Sequence, residues 1–497
     1  MQKLNFPQRI SRSTAIFAGL LFSFVAMACS EDVDPAENGE GDCLSGEVWN
    51  PVTNRCDRVG TSDGDTDGDF DGDSDADTGI GGEDTGDGDS DPIGPIDCEG
   101  FDCTQVSCPV GQMPTSITGV VTIPSGELPL PDVNVYIPRE PLQPIVDGAS
   151  CERCEDQFPL MPVTSTTTDI NGEFRLINVP AGNDIPLVIE VGKWRKKVAI
   201  PLVEPCVENP IPDPSLTRLP RSRHEGDMPR MALTTGGWDA MECLLRKIGI
   251  SANEITSDQG DGRIHLFAGR GGTNRFHESL HGGASFTPSH EWWDDLDNLL
   301  PYDIVIHSCE GESFPNDKPE VARDALRDFT ELGGRVFLSH WHNVWLNEGP
   351  SDFQSVANWE STFTNATVGH IDTSFEKGEM LRDWMFATGT TPEGQLPIQE
   401  ARATIQSINE ELAQQWIWID SNRTQYFTFN TPIDEEPEEQ CGRVVFSDIH
   451  VAAGDNSSPS HPFPTGCTSS GLTPQEKALI FMFFDLSRCI VPDGKKD

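Results

Sequence analysis

Hydrophobic and polar residues alternate differently in three stretches of the chain. Residues 61–97 are dominated by Asp, Gly, Ser and Thr. Between 115 and 206, apolar and polar residues alternate as in strands with one buried face. From 226 to 491, short apolar runs alternate with segments whose apolar residues have helical spacing. The pattern predicts a disordered acidic stalk, then an all-β unit, then an α/β unit.

In the all-β unit, the alternation begins at Val121 and Ile123 and continues through 133–137. Asn171-Gly172 supplies the positive φ values that a type I′ turn requires. This dipeptide predicts a hairpin between the two strands that flank it.

In the α/β unit, an apolar strand at 303–307 precedes a helix that Asp317 is expected to cap, and Gly333-Gly334 ends that helix. A second strand follows at 335–340, and strand, helix and strand predict a right-handed crossover and a parallel sheet. Further predicted strands are 230–235, 263–267, 415–419, 425–430 and 443–446, and further helices are 240–248 and 473–488. The last helix is predicted to begin with a capping box formed by Thr473 and Glu476. The predicted architecture is multidomain, an all-β sandwich plus a doubly wound α/β sheet.

The chain begins with basic residues followed by an apolar run at 15–28 that ends in small residues before Cys29. This arrangement resembles the lipobox of bacterial lipoproteins. The resemblance implies a signal peptide at 1–28 and acylation of Cys29, of the palmitate type. Several acyl chains on one residue would anchor the protein stably in a membrane. The alternative is an ordinary secretory signal with an incidental cysteine. The expected location is the outer membrane, the cell surface or the periplasm.

The formal net charge of −47 excludes nucleic acid as a partner, because a strongly acidic protein repels phosphates. An envelope glycan or protein stays open as a partner, besides the membrane reached through the lipid. Asp63, Asp65 and Asp67 begin like a calcium loop, but Ser74 stands where a bidentate Glu is needed. No specific calcium site is therefore predicted in the stalk.

Fourteen cysteines in an exported chain predict disulfides. Lipidation of Cys29 leaves an odd number, so at least one cysteine is expected to lack a partner within the chain. Cys43 and Cys56 are expected to staple residues 29–60, and a cysteine-rich connector occupies 98–114. Cys151 and Cys154 favour a loop disulfide over half of a zinc site, since no second CxxC stands at a suitable spacing.

Two resemblances bear on the folds. The first is to the carboxypeptidase regulatory-like domain and rests on Gly119, Val121, Thr168, Asp169, Gly172, Phe174, Val179, Pro180 and Gly182. It implies a seven-stranded transthyretin-like sandwich at 115–206 with a structural or binding role. The second is to the flavodoxin-like, class I glutamine-amidotransferase-like fold and its trehalose-utilisation-protein-like branch, at 226–491. It rests on 302–306, 333–340 and 442–446. That family places a cysteine in a Gly-x-Cys-x-Gly elbow where His340 stands here without flanking glycines, so glutamine hydrolysis is not expected.

In a doubly wound sheet, ligands bind at the carboxyl ends of the strands. The polar residues expected there are His307, Cys309, Glu310, His340, His342, Asp448 and His450. The candidate catalytic residues are His340, His450 and Cys309, and the candidate ligands of a divalent metal are His340, His342, Asp448 and His450. The alternative is a hydrogen-bonded rim in which Cys309 pairs with Cys243 or another cysteine. The neighbouring tryptophans, Trp292, Trp293, Trp341 and Trp345, either stack sugar rings or fill core space.

No sequence motif demonstrates catalysis. The sequence alone favours a membrane-anchored lipoprotein with a binding or structural role. The alternative is a carbohydrate-active or other hydrolase that uses the histidine-rich edge of the α/β sheet.

Overall fold

The computed structural model describes residues 47–50, 55–58, 104–152, 161–390, 394–419, 423–450 and 454–490. The chain divides into two compact units, Met1–Thr85 and Gly86–Asp497. In the first unit, strands β1 (Glu47–Asn50) and β2 (Arg55–Arg58) pair in antiparallel fashion. Four predictions fall on residues outside the described ranges: lipidation of Cys29, the pairing of Cys43 with Cys56, the acidic stalk at 61–97 and the role of Cys154.

The described part of the second unit begins with an all-β region of seven strands. These are β3 (Ser116–Val120), β4 (Asn134–Ile137), β5 (Thr164–Thr167), β6 (Glu173–Ile177), β7 (Gly182–Val191), β8 (Trp194–Val203) and β9 (Glu208–Pro210). They form a three-stranded sheet, β6-β3-β9, and a four-stranded sheet, β5-β4-β7-β8. Ile117 and Leu176 of the first sheet and Val135 and Leu187 of the second are buried in one core. The all-β prediction is confirmed.

The predicted hairpin at Asn171-Gly172 is wrong. Gly172 has a φ of 70°, as the turn signal required. The flanking strands nevertheless join different sheets, because β5 pairs with β4 and β6 pairs with β3. The carboxylate Oδ1 of Asp169 accepts hydrogen bonds from the backbone N–H groups of Asn171 and Glu173, both at 2.9 Å. The segment is therefore a corner between two sheets.

The α/β region supplies twelve further strands and most of the helices in the residues that the structure describes. The strands are β10 (Met231–Thr234), β11 (Ile255–Ser257), β12 (Ile264–Phe267), β13 (Ile304–His307), β14 (Arg335–Ser339), β15 (Ala357–Phe363), β16 (Val368–Ile371), β17 (Gln395–Pro397), β18 (Arg402–Ile408), β19 (Gln414–Ile419), β20 (Arg423–Thr431) and β21 (Gly442–Ser447). The α-helices are α1 (Pro214–Thr217), α2 (Met241–Lys247), α3 (Leu296–Leu299), α4 (Glu320–Glu331), α5 (Val344–Asn347), α6 (Ser351–Gln354), α7 (Glu376–Ala387) and α8 (Pro474–Leu486). Short 3-10 turns are Ala252–Glu254, His281–Gly283, Ser289–Glu291, Pro315–Asp317, His340–Asn343 and Pro437–Glu439.

The main sheet has ten strands in the order β11-β12-β10-β13-β14-β21-β20-β19-β16-β17. The first six strands are parallel, which confirms the predicted α/β region and the crossover from β13 through α4 to β14. The remaining four are antiparallel, so the sheet is mixed and the prediction of a parallel sheet holds for six strands. Strands β15 and β18 form a separate antiparallel pair.

Helices cover both faces of the parallel strands. Along β14, Val336 and Leu338 lie in the same core as Phe329 of α4, whereas Phe337 lies in the core that contains α8. Helix α8 begins with the predicted capping box, in which Thr473 and Glu476 satisfy each other's backbone N–H groups. The core is therefore built on each side of one sheet, as in doubly wound folds.

The start of α4 differs from the prediction. Its N-cap is Pro319, and Asp317 instead forms an ion pair with Arg270. Not all apolar residues of this helix are buried. Val321 and Leu332 are 56% and 51% exposed, respectively.

The all-β region and the α/β region share one core. Trp194 of β8 is completely buried, and its ring centroid lies 6.4 Å from that of Phe483 and 5.7 Å from that of Phe484, both in α8. Beside it, the buried Lys193 ammonium forms an ion pair with Asp303 at 2.5 Å. The sandwich is thus packed directly onto a face of the α/β region.

Among the described residues, disulfides join Cys108 to Cys206, Cys151 to Cys441 and Cys243 to Cys467, and Cys489 is also disulfide-bonded. The predicted pairing of Cys151 with Cys154 is wrong, because Cys151 lies near the start of β21, with its Cα 4.6 Å from that of Cys441. The alternative pairing of Cys309 with Cys243 is also wrong. Cys309 is a buried cysteine with no disulfide.

Within the described ranges, no helix combines the length and the apolar character needed to cross a bilayer.

We expect the Trp194→Ala variant to be destabilised by about 3 to 5 kcal/mol, because it leaves a cavity between β8 and α8. The free energy of unfolding is measured by urea denaturation. The control is Phe386→Ala, whose side chain is 66% exposed and which should change stability by less than about 0.5 kcal/mol. Equal effects of the two variants would contradict the shared core.

Candidate metal centre

Four neighbouring parallel strands end at one edge of the main sheet. These strands are β10, β13, β14 and β21, in that spatial order. The segments that follow them begin at Thr235, Ser308, His340 and Asp448. Because the strands are parallel, residues distant in sequence meet at this edge.

The candidate residues Cys309, His340 and His450 come together there. The Cys309 Sγ and one ring nitrogen from each histidine lie within 4.8 Å of one another. The Cys309 Sγ is 3.7 Å from His340 Nδ1, and the two imidazole centroids are 5.2 Å apart. All three side chains are buried. His340 has a φ of 20°, an unusual backbone conformation directly after a strand.

A carboxylate that follows β10, that of Asp239, orients His450. Asp239 Oδ1 is 2.9 Å from His450 Nδ1, and Asp239 Oδ2 accepts a hydrogen bond from the Ser339 hydroxyl. The Nδ1 of His450 therefore carries the proton. Its Nε2 is buried and has no hydrogen-bond partner among the described residues.

The surroundings set different proton affinities for the three groups. Burial, together with the charges of His450 and Arg402, lowers the pKa of His340 to about 2, so its ring is neutral. Burial opposes protonation of His450, but the charge and the hydrogen bond of Asp239 outweigh it and raise the pKa. Burial and then the Asp239 charge raise the pKa of the Cys309 thiol. The thiol is thus protonated unless a metal displaces its proton.

Two other predicted metal ligands use their polar atoms elsewhere. His342 Nδ1 accepts from the Trp345 indole at 2.9 Å, and its Nε2 lies 2.8 Å from the Ser308 carbonyl. The Asp448 oxygens accept from the backbone N–H and the hydroxyl of Thr404, both at 2.7 Å. Burial raises the pKa of Asp448 to about 7. Neither residue joins the group formed by Cys309, His340 and His450.

The remaining polar and aromatic residues of this edge pack against each other or form ion pairs. His307 stacks on Trp345 with ring centroids 5.2 Å apart, and Glu310 forms a buried ion pair with Lys318 at 2.6 Å. Trp292, Trp293 and Trp345 are buried, so they fill core space. Trp341 is half-buried, and its ring centroid lies 4.7 Å from that of His340.

The three groups suit a small thiophilic divalent ion such as zinc. Ideal tetrahedral zinc, with bonds of about 2.3 Å to sulfur and about 2.0 Å to nitrogen, separates those ligands by about 3.5 Å. The 3.7 Å between Cys309 Sγ and His340 Nδ1 is close to that spacing. A carboxylate on the far nitrogen of a ligating histidine is the usual outer-sphere partner, and Asp239 has this position.

Sequence reasoning missed three residues of this edge, namely Trp238, Asp239 and Arg402. Asp239 and Trp238 follow β10, so the rule that located Cys309 applies to them as well. Gly236 allows the segment after β10 to lie against the backbone of Cys309, because a Cβ at position 236 would lie 2.2 Å from the Cys309 carbonyl oxygen. No sequence signal marks Arg402, because it comes from β18, outside the parallel strands.

Comparisons with known proteins give similar solved structures, of which two are described here, but no family. No family model matches the chain, and no curated protein matches it. A ThuA-like protein from Bacteroides uniformis has a TM-score of 0.27 at 12% identity, covering 51% of this chain and 90% of its own. The protein SMU.1228c has a TM-score of 0.29 at 9% identity, covering 52% of this chain and 100% of its own. Both TM-scores are low, so the α/β assignment rests on the strand order described above.

We expect the Asp239→Asn variant to bind zinc about 10- to 100-fold more weakly, because the outer-sphere carboxylate that orients His450 is lost. A competition titration with a chromogenic chelator measures the affinity. Asp383→Asn is the matched control, since that carboxylate pairs with Arg382 on the surface of α7. Unchanged affinity in Asp239→Asn would show that Asp239 does not support a metal ligand.

Proposed function

We propose that this protein is a membrane-anchored, extracytoplasmic lipoprotein whose α/β region is a metal-dependent hydrolase. The observation that carries the proposal is the convergence of Cys309, His340 and His450 at the carboxyl edge of the sheet, with Asp239 bonded to His450. The geometry favours the hydrolase alternative over the purely structural role.

The number of ligands supports a catalytic site over a structural one. Structural zinc is held by four protein ligands, whereas catalytic zinc is held by three and keeps one position for water or substrate. In the described part of the chain, Cys309, His340 and His450 are the one group of three metal-binding side chains whose ligand atoms all lie within 4.8 Å of one another. The proposed ion therefore retains a coordination position.

A bound divalent ion would supply a hydroxide nucleophile at neutral pH by acidifying its water. The protein's own residues hold the ligands ready for it. Burial keeps His340 neutral, and the bond of His450 Nδ1 to Asp239 leaves the Nε2 of His450 as the nitrogen that could bind a metal. The Ser339 hydroxyl fixes the second oxygen of Asp239.

The location part of the proposal rests on sequence and on disulfides. The lipobox-like segment before Cys29 supports the anchor, and three intrachain disulfides support an oxidising compartment. We also infer the transthyretin-like character of the sandwich and the trehalose-utilisation-protein-like character of the α/β region, on the motifs given above. The acidic stalk at 61–97 would hold the compact unit away from the membrane.

We expect the full chain, purified without added chelator, to contain about one zinc per molecule, since a three-ligand site binds one ion. Cys309→Ser and His450→Ala should lose it, and His461→Ala, an exposed histidine, should keep it. Elemental analysis by mass spectrometry measures the content. Protein that stays free of metal after zinc is added would overturn the hydrolase proposal and leave the binding or structural role.

We expect the Cys29→Ala variant to move from the membrane fraction to the soluble fraction, because several acyl chains are needed for stable anchoring. Fractionation of cells with immunoblotting measures the distribution. Cys309→Ser is the control and should stay in the membrane fraction. Retention of Cys29→Ala in membranes would rule out lipidation at this residue.

A further inference from the structure

A cavity of about 260 Å³ lies at the edge of the main sheet opposite the candidate metal centre. Its lining comes from the segment between β18 and β19, the end of β20 and the loop before β21. Because β20 and β21 are antiparallel, these segments meet where β21 begins, whereas His450 follows the end of β21. The cavity is therefore separated from the metal centre by the length of β21.

The walls of this cavity combine apolar side chains with carboxylates. Phe429 and Ile433, which are 2% and 7% exposed, form an apolar wall. Glu411 and Glu435 also line the cavity and are exposed to solvent. Neither carboxylate has an ion-pair partner in the part of the chain that the structure describes. The segment 431–442 adds further acidic residues and contains no Lys, Arg or His, so the rim is strongly negative.

Two amide oxygens in the same lining lack a hydrogen-bond donor. The Gln414 side chain is only 7% exposed, and its Nε2 donates to the Gln415 carbonyl at 2.7 Å. The acceptor Oε1 of Gln414 is thus left without a donor among the described residues. The Oδ1 of Asn430 is buried and likewise has no partner there. Because an unsatisfied buried acceptor costs free energy, these oxygens favour a ligand that brings N–H donors.

An organic cation fits this lining better than a metal ion does. Apart from Cys309, His340 and His450, no three His, Cys, Asp or Glu side chains of the described residues bring ligand atoms within 4.8 Å of one another. An ammonium group supplies a positive charge and three donors, and an alkyl stem packs on apolar side chains. Arg443 is 1% exposed and forms an ion pair with Asp485, so it leaves the rim negative.

We propose that this cavity is a binding site for an aliphatic amine. The ammonium group contacts Glu411, Glu435 and the Oε1 of Gln414, and the methylene groups pack on Phe429 and Ile433. This site lies apart from the candidate metal centre and does not depend on the proposed function. A free diamine and the lysine side chain of a partner protein offer the same chemistry.

The test is calorimetric titration of the full chain with cadaverine at about 0.15 M salt, which screens unspecific attraction to the acidic surface. We expect saturable binding that is about tenfold weaker in the double variant Glu411→Gln/Glu435→Gln and in Gln414→Met, since each loses a hydrogen bond to a charged group. The matched control is Glu127→Gln/Glu173→Gln. It removes the same charge from exposed positions of the all-β region and should bind as the unmodified chain does.

Loss of affinity in the variants of the cavity, with the control double variant unchanged, supports the site. Equal loss in the two double variants shows a general attraction to the acidic surface and overturns the proposal. Absence of saturable binding to the unmodified chain also overturns it, as does equal binding of the uncharged pentanediol. Unchanged melting temperatures of the two glutamate double variants show that lost binding does not reflect unfolding.

A parallel titration with Nα-acetyl-lysine amide distinguishes the two sources of the ammonium group. Tighter binding of this compound than of cadaverine supports recognition of a lysine side chain. Tighter binding of cadaverine supports recognition of a free diamine.

Discussion

Parallel pairing of β10, β13, β14 and β21 is the constraint on which the rest of the structure depends. Each strand is buried on both faces, so helices must cover the two sides and the chain must return to the same end before every new strand. The carboxyl ends therefore gather residues from 239 to 450 at one edge. Cys309, His340, His450 and Asp239 are distant in sequence, and they meet because of this pairing.

The all-β region belongs to the same mechanical unit as the sheet. Helix α8 packs the main sheet on one side and Trp194 on the other, and the ion pair of Lys193 with Asp303 lies where β13 begins. Motion of the sandwich against the sheet would expose these groups. A rigid sheet in turn keeps the candidate metal ligands close to one another. This matters because small displacements of its ligands weaken a metal site strongly.

Local signals in the sequence predicted the elements whose cause is local. The crossover at 303–340 and the capping box at Thr473 follow from hydrophobic spacing and turn residues. The rule for strand ends located Cys309, His340 and His450. Partners that depend on tertiary packing were not predictable in this way. Asn171-Gly172 connects two different sheets, and both ring nitrogens of His342 are hydrogen-bonded to neighbouring groups. Arg402 belongs to a separate strand pair.

The disulfide between Cys151 and Cys441 has a consequence for how the protein is made. These cysteines are separated by 290 residues, which ribosomes take roughly 15 to 60 seconds to add. Throughout that interval Cys151 has no native partner, while Cys154 stands three residues away. Correct pairing must therefore wait for the chain to be almost complete, or early mispairing must be reversed by thiol–disulfide exchange. Yield in a host cell should accordingly depend on its disulfide isomerase capacity more than on its oxidising power.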